Sequence, residues 1–433
     1  MIKQAEYSRR RKHLMQMAGP DSVVVLSAAP ERFRNNDTHY PYRQNSDFHY
    51  LTGFNEPEAV LVLLPEGKDC RSILFCRERD AKREMWDGPM AGLEGAVADF
   101  KMDEAFPITE LDKRMPAYLE ERDKVYYGVG HDTTFDQQVI AWLNKVRGKK
   151  GVHAPDELVS VDHDLHEMRL YKSRAEISAM RKSAKVAVVA HEHAMQTCRP
   201  GMNEAETHAG LLQNFYSRHC RPSYEPIVGA GNNGCILHYI ANDQPLNDGD
   251  LLLIDAGAEY DCYASDVTRT FPVNGRFSAE QKALYEVVLE TQRAAIEKVS
   301  AGQQWIDVQN ESIRVTTEGL VELGLLKGKV DELIEQESHK EFYVHNVGHW
   351  LGLDVHDVGD YQVDGHSRAL EPGMVMTVEP GIYIANHRED VDQRWRGIGI
   401  RIEDNVLVTK NGPDVLTGDL VKTIDDIEAL MAS

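Results

Sequence analysis

Apolar residues in the first third of the chain fall into four short runs, residues 22–28, 59–65, 71–77 and 124–129, each rich in Val, Leu, Ile or Tyr. Runs of this length and composition predict strands. Polar, helix-compatible stretches lie between and after them, residues 135–145 among them, and the alternation predicts a small α/β domain. Its end falls in the basic, glycine-containing segment 147–151 or in the polar stretch through Asp164, and the domains are placed at residues 1–168 and 169–433. Ser173 and Glu176 stand three apart ahead of a helical pattern running to Cys198, a capping-box signal, and Pro200-Gly201 stops it. Further helices are predicted over residues 204–217, 278–299 and 305–323. From Tyr224 onward the strand-like segments change character. They carry isolated acids and histidines and are punctuated by Gly and Pro.

A chain of 433 residues allows two to three domains, and 42% hydrophobic with 27% charged residues is ordinary for a globular protein. The net charge of −22 changes the picture more, because it disfavours nucleic acid and anionic membranes as partners. No window approaches the roughly 20 apolar residues of a membrane span, and the charged N-terminus lacks a signal-peptide core. Six scattered cysteines without a CxxC pair read as reduced thiols. The expected location is the cytoplasm.

Residues 248–271 resemble a hairpin in which Leu252, Ile254 and Ala256 share one face and Asp255 points to the other. With the turn centred between Tyr260 and Asp261, Asp255 and Asp266 are directly opposed, with Cβ atoms about 4.5–5.5 Å apart. Carboxylates that close repel unless a proton or cation lies between them. An exposed hairpin with two solvated acids accounts for this pair equally well. The segment 397–404 adds the weight: Ile398, Ile400 and Ile402 form one face, and Gly397, Gly399, Arg401 and Glu403 the other. The glycines leave room for something to approach closely on the face of Arg401 and Glu403. A third strand, 374–379, ends on Glu379 before Pro380-Gly381. His345, His349 and His356 recur in one short stretch and His238 precedes Tyr239, whereas His39, His49, His191, His193 and His366 stay unassigned. His191 and His193 are two apart in a helical stretch and do not share a face.

These residues carry a resemblance to the pita-bread metallopeptidases, and within them to the aminopeptidase P (Xaa-Pro aminopeptidase) family. Asp255, Asp266, His349, Glu379 and Glu403 match that family's five metal ligands in order and flanking sequence. The supporting motifs include Leu-Leu-Ile-Asp-Ala-Gly at 252–257, Gly-His-Trp-Leu-Gly-Leu-Asp-Val-His-Asp at 348–357 and Gly-Ile-Arg-Ile-Glu-Asp at 399–404. The likeness extends to residues 40–54 and so covers nearly the whole chain. It implies an α/β N-terminal domain followed by an α+β pita-bread catalytic domain, which wraps a curved antiparallel sheet with helices.

The resemblance further implies two divalent metal ions. One histidine and four carboxylates make a hard, oxygen-rich site that suits Mn(II), with Co(II) or Zn(II) as alternatives. Asp266 and Glu403 would bridge both ions, Asp255 would complete one shell, and His349 and Glu379 the other. Glu379 would also be the general base. His238, His345 and His356 would contact substrate, Arg401 would fix the carboxylates, and Tyr224 and Tyr383 would wall the proline side. Trp86, in Arg83-Glu-Met-Trp-Asp-Gly, would meet a neighbouring subunit's site, making the first domain an element of oligomerisation and site closure and the protein a homodimer or homotetramer. The expected reaction is removal of the N-terminal residue before a proline. The rivals are prolidase, for which the segment between Glu379 and Glu403 is short, and a non-catalytic binding protein that would have lost a ligand. Methionine aminopeptidase leaves residues 1–168 unexplained, and creatinase does not share the metal ligands.

Overall fold

The computed structural model of the protein describes residues 2–66 and 70–433. Two compact units, Met1–Arg169 and Leu170–Ser433, make up the chain.

The first unit is built on six strands, β1 (Ser22–Ser27), β2 (Val60–Leu64), β3 (Arg71–Cys76), β4 (Glu104–Pro107), β5 (Lys124–Tyr127) and β6 (Glu157–Ser160). Their order is β4-β3-β2-β1-β5-β6, with β2 antiparallel to both of its neighbours and the remaining pairs parallel. Val23, Val24 and Val25 are fully buried, as are Leu61, Val62 and Leu63, so the central strands are covered on both faces. That is why they read as unbroken apolar runs and not as alternation. The four predicted strands are present. The two edge strands, β4 and β6, are short and half-exposed or exposed, and they carry no comparable apolar signal. Because β6 pairs with β5 from Lys124↔Glu157 to Tyr127↔Ser160, the segment 147–151 is a connection inside the unit and not its end. The charged N-terminus forms a helix, Gln4–Ala18, that the sequence reading had not assigned. Its Arg10 and Arg11 are almost fully buried and donate to the Tyr50 and Leu51 carbonyls at the end of the helix Ser46–Thr52. Cations are favoured there because helix C-terminal carbonyls lack internal partners.

Helices Arg174–Thr197, Glu204–Ser217, Ala279–Lys298 and Trp305–Glu322 dominate the second unit. The first begins with the expected capping box, in which Ser173 and Glu176 satisfy each other's backbone N–H groups. Its strands include β7 (Ile227–Ala230), β8 (Leu251–Asp255), β9 (Ala258–Tyr260), β10 (Tyr263–Ala264), β11 (Thr268–Pro272), β12 (Val375–Val378), β13 (Gly381–Ile384), β14 (Ile398–Arg401), β15 (Asp404–Thr409) and β16 (Gly412–Val415). All of their pairings are antiparallel: β7-β8-β11, β9-β10, β12-β15-β16 and β13-β14. Leu252, Ile254, Ala256, Ile398, Ile400 and Ile402 enter one core with Leu284 and Val288 of the third helix. The face alternation expected of β8 and β14 is therefore real, and the residues between these apolar positions are turned away from the helices. Among the described residues no helix is long and apolar enough to cross a membrane.

Two local expectations change. Tyr260 pairs with Tyr263 and Asp255 with Thr268, so the hairpin turns at Asp261-Cys262, two residues held at positive φ. Asp266 is therefore a diagonal, same-face neighbour of Asp255 and is not directly opposite it. The segment 397–404 is likewise two strands. Ile402 donates its N–H to the Pro380 carbonyl and Glu403 to that of Thr268, and between them the chain leaves β13 and joins β12.

Candidate metal-dependent active site

A cavity of about 680 Å³ in the second unit is lined by Asp255, Asp266, His349, Glu379 and Glu403 together with Tyr224, His238, His345, His356 and Arg401. Each acid arrives on a different piece of backbone. Asp255 ends β8, and Asp266 sits in the break between β10 and β11. Glu379 occupies the bend between β12 and β13, and Glu403 the crossover between β14 and β15. His349 comes from an irregular segment stitched along β12: Thr377 donates to the His349 carbonyl at 2.9 Å, and Glu379 to that of Val347 at 2.7 Å. Gly348 makes this fit possible, because a Cβ there would lie 2.0 Å from the Thr377 carbonyl oxygen.

The side chains form one connected network. The Tyr224 hydroxyl lies against both aspartates, 2.5 Å from Asp266 Oδ1 and closer still to Asp255 Oδ1. Burial first, and then the two aspartates, raise its pKa well above the usual tyrosine value, so it retains the proton it shares with them. Arg401 donates at 2.7 Å to Asp255 Oδ2 and at 3.0 Å to the Tyr383 hydroxyl. Tyr383 in turn lies 2.8 Å from His345 Nε2, while His345 Nδ1 is 2.8 Å from the Asn346 carbonyl. Both nitrogens of His345 are therefore engaged within the protein. The rings of His238 and His356 are exposed and form no hydrogen bond among the described residues. His349 Nδ1 is 2.9 Å from the Trp350 carbonyl, a contact that only an N–H can satisfy, which leaves Nε2 as the nitrogen facing Asp266 and Glu379 at 3.3 and 3.4 Å.

Electrostatically the site is short of positive charge. Burial raises the pKa of Glu403 well above the carboxylate range, and Asp266, Glu379 and Asp255 add to the shift. Burial likewise raises Glu379 and Asp255, against the pull of His349 on the first and Arg401 on the second. Asp266 alone is lowered, its burial being outweighed by the hydrogen bond and charge of His349, whose own pKa rises to about 9 because Asp266 and Glu379 overcome its burial. For Glu403, Glu379 and Asp255 burial together with neighbouring acids disfavours the charged form, and a bound cation would relieve this. The donor set fits a divalent metal. Ligand atoms of Asp266, His349 and Glu403 all lie within 4.8 Å of one another, and Glu403 Oε1 is buried without a hydrogen-bond partner. Asp255 and Glu379 line the same cavity outside this close trio.

Three sequence expectations shift in their details. Tyr224 lines the cavity, but its hydroxyl belongs to the aspartates. Tyr383 supports His345 and Arg401 from behind the lining. Trp86 is 87% exposed on the helix Ala81–Asp87 of the first unit. The room expected beside Gly399 is filled by main chain and not by a ligand: a Cβ there would lie 2.2 Å from the Gly234 carbonyl oxygen. Sequence reasoning missed Thr268, which joins Arg401 to Glu403, and Glu204, whose buried carboxylate accepts from Ala230 N, Asn233 Nδ2, Tyr239 Oη and Gln244 N around His238. The Asp-Val-Thr-Arg-Thr run was a signal for Thr268, since a threonine two residues from Asp266 turns to the same face of the strand. Glu204 looked like an ordinary first-turn acid.

Comparison with known proteins yields a consistent picture. Residues 178–410 match metallopeptidase family M24, and residues 7–126 match the N-terminal domain of aminopeptidase P. The Xaa-Pro aminopeptidase of Escherichia coli strain K12 is 46% identical over 436 residues, spanning 100% of this chain and 98% of that protein. The solved structure of the Pseudomonas aeruginosa aminopeptidase PepP superimposes with a TM-score of 0.98 at 53% identity, over 100% of this chain and 98% of its own. Zinc-substituted E. coli aminopeptidase P in complex with product gives 0.97 at 46%, again over 100% and 98%.

Proposed function

Because the chain belongs to metallopeptidase family M24, built as an aminopeptidase P N-terminal domain followed by a pita-bread catalytic domain, we propose that it hydrolyses the bond between an N-terminal residue and a following proline. The observation that carries this reading is the trio Asp266, His349 and Glu403, with its unpartnered Glu403 oxygen, in a cavity of about 680 Å³. Asp255, Asp266, His349, Glu379 and Glu403 would hold two divalent ions, with Mn(II) favoured by the oxygen-rich set. When bound, such ions supply Lewis-acid polarisation of the scissile carbonyl and acidify water at neutral pH.

The side chains supply the remaining chemistry. Glu379 takes the proton of the attacking water and returns it to the departing proline nitrogen, which must leave as an amine. The free rings of His238 and His356 aim their N–H groups at the carbonyl oxygen, where negative charge develops. His345 has no free nitrogen and serves by holding Tyr383. Arg401 fixes Asp255 and Tyr383 together. The X–Pro bond lacks an N–H and has a fixed φ, so a site without need of that donor accepts it where ordinary peptidases fail. Trp86 serves as an inter-subunit contact of a homo-oligomer, in line with its near-complete exposure in the single chain. A cytoplasmic location agrees with the scattered free thiols.

The test compares Xaa-Pro-Yaa, Xaa-Ala-Yaa, N-acetylated Xaa-Pro-Yaa and Xaa-Pro dipeptides with Mn(II)-loaded protein. Cleavage of the first alone, or of the first above the dipeptide, is expected. Equal rates on the first two would refute proline specificity, cleavage of the acetylated peptide would refute aminopeptidase action, and preference for the dipeptide would make the protein a prolidase.

A further inference from the structure

We propose that Thr268 is a positioning residue that fixes the orientation of the Glu403 carboxylate for metal binding; this rests on the dinuclear reading above. Thr268 is completely buried. Its hydroxyl stands between Arg401 Nε, at 3.1 Å, and Glu403 Oε2, at 2.7 Å. The direction of the chain of bonds is fixed, because a guanidinium can only donate. Arg401 gives its Nε–H to Thr268, so the single hydroxyl proton of Thr268 is left to point at Glu403 Oε2. That oxygen is therefore held as an acceptor, while Oε1 is a buried atom with no hydrogen-bond partner.

The main chain reinforces the same grip. Glu403 donates its N–H to the Thr268 carbonyl at 3.1 Å, and the buried Arg269 bonds both the Thr268 and Glu403 carbonyls, at 2.9 and 2.6 Å. Glu403 is thus located by its backbone at the strand crossover and oriented by the Thr268 hydroxyl. The two functions are separable. Removal of the hydroxyl leaves the backbone clamp and frees the carboxylate to rotate.

Partners that orient a metal ligand typically contribute 10–100-fold in affinity. The full-length protein, stripped of metal with chelator, is titrated with Mn(II) as wild type, Thr268→Val and Thr268→Ser, free Mn(II) being read by electron paramagnetic resonance. Wild type should take up two ions. Thr268→Val, of the same shape without the hydroxyl, should bind the weaker ion about 10–100-fold less tightly, and Thr268→Ser should stay near wild type. Thr268→Ala, which also lacks the hydroxyl, replaces the valine variant if that fails to fold. The proposal is overturned if the hydroxyl-free variants bind both ions as tightly as wild type, or if serine behaves like valine, which would assign the effect to packing. A wild type that binds no Mn(II) would instead overturn the dinuclear reading itself.

Discussion

Gly399→Ala isolates one consequence of the backbone crossing beneath the site. Gly399 lies in the strand Ile398–Arg401, and its φ is not among the positive ones, so alanine imposes no dihedral strain there. The obstacle is contact. The new methyl would lie 2.2 Å from the Gly234 carbonyl oxygen, 2.4 Å from its carbon and 2.8 Å from the Cys235 nitrogen, all main-chain atoms. Carbon contacts are comfortable at about 3.5–4.0 Å, so strand and loop must part by about 1 Å or more. Overpacking of this kind costs about 1–3 kcal/mol. The strand continues to Arg401 and Glu403 and the loop to His238, all three of which line the cavity, so the displacement reaches the site from both segments. A misplacement of about 1 Å can cost on the order of 10²-fold in rate. We expect a folded Gly399→Ala protein with a lowered melting temperature and kcat/KM on Xaa-Pro-Yaa peptides reduced about 10²-fold. Gly210→Ala, inside a helix with its nearest neighbour at 3.9 Å, is the control and should be neutral or stabilising. Wild-type activity and stability in Gly399→Ala would refute the reasoning that the crossing sets the site's geometry.

Chelation should abolish activity and Mn(II) restore it, and Glu403→Ala should lose at least one ion by elemental analysis; full activity in metal-free protein would sink the metallopeptidase reading. His356→Ala should retain both ions while kcat falls by roughly 10²–10³, and metal loss would move His356 into the ligand set. Asp404→Asn should destabilise by about 3–5 kcal/mol, because it removes the carboxylate paired with the wholly buried Arg269, as denaturant unfolding can measure. Burial raises the Asp404 pKa, but Arg269 and Lys422 outweigh it and hold the carboxyl well below its usual range. Its stabilisation is therefore complete above about pH 4 and lost as pH falls further, so the acid limb of the stability curve should flatten in Asp404→Asn. Sedimentation should show an oligomer that Trp86→Ala weakens, and a fully active monomer at working concentration would contradict the role given to Trp86.

The sequence was most legible where one face of an element is apolar. Ile398, Ile400 and Ile402 announce a strand whose other face carries Arg401, and the structure seats these isoleucines in the core. The helix Glu204–Ser217 was bounded correctly because Asn203 and Glu206 form a capping box and a turn follows. Register was harder. The pattern of alternation is the same whether the hairpin turns at Tyr260-Asp261 or one residue later, and only the positive φ of Asp261 and Cys262 decides it. The division of labour among the histidines was not legible either. Nothing in the chain near His345 shows that Tyr383, far along the sequence, would occupy its second nitrogen. Long-range hydrogen bonds leave no periodic trace. For the same reason nothing in the charged N-terminus shows that Arg10 and Arg11 are buried against carbonyls.

The cavity acids lie on backbone pieces strung between residues 255 and 403, and the helices Ala279–Lys298 and Trp305–Glu322 intervene. Those helices close through local contacts and can form early, whereas the crossover that delivers Glu403 needs pairing between segments more than a hundred residues apart, as Thr268 with Glu403 shows. Non-local pairing is the slow part of folding. The centre therefore cannot act as a nucleus: metal finds its complete set of donors only after the topology is in place. On the ribosome, where the chain emerges from its N-terminus, four of the five proposed ligands, Asp255, Asp266, His349 and Glu379, are exposed before Glu403 appears. A growing chain is consequently catalytically silent, and hydrolytic competence arrives with the final strands, as a sign that folding is finished.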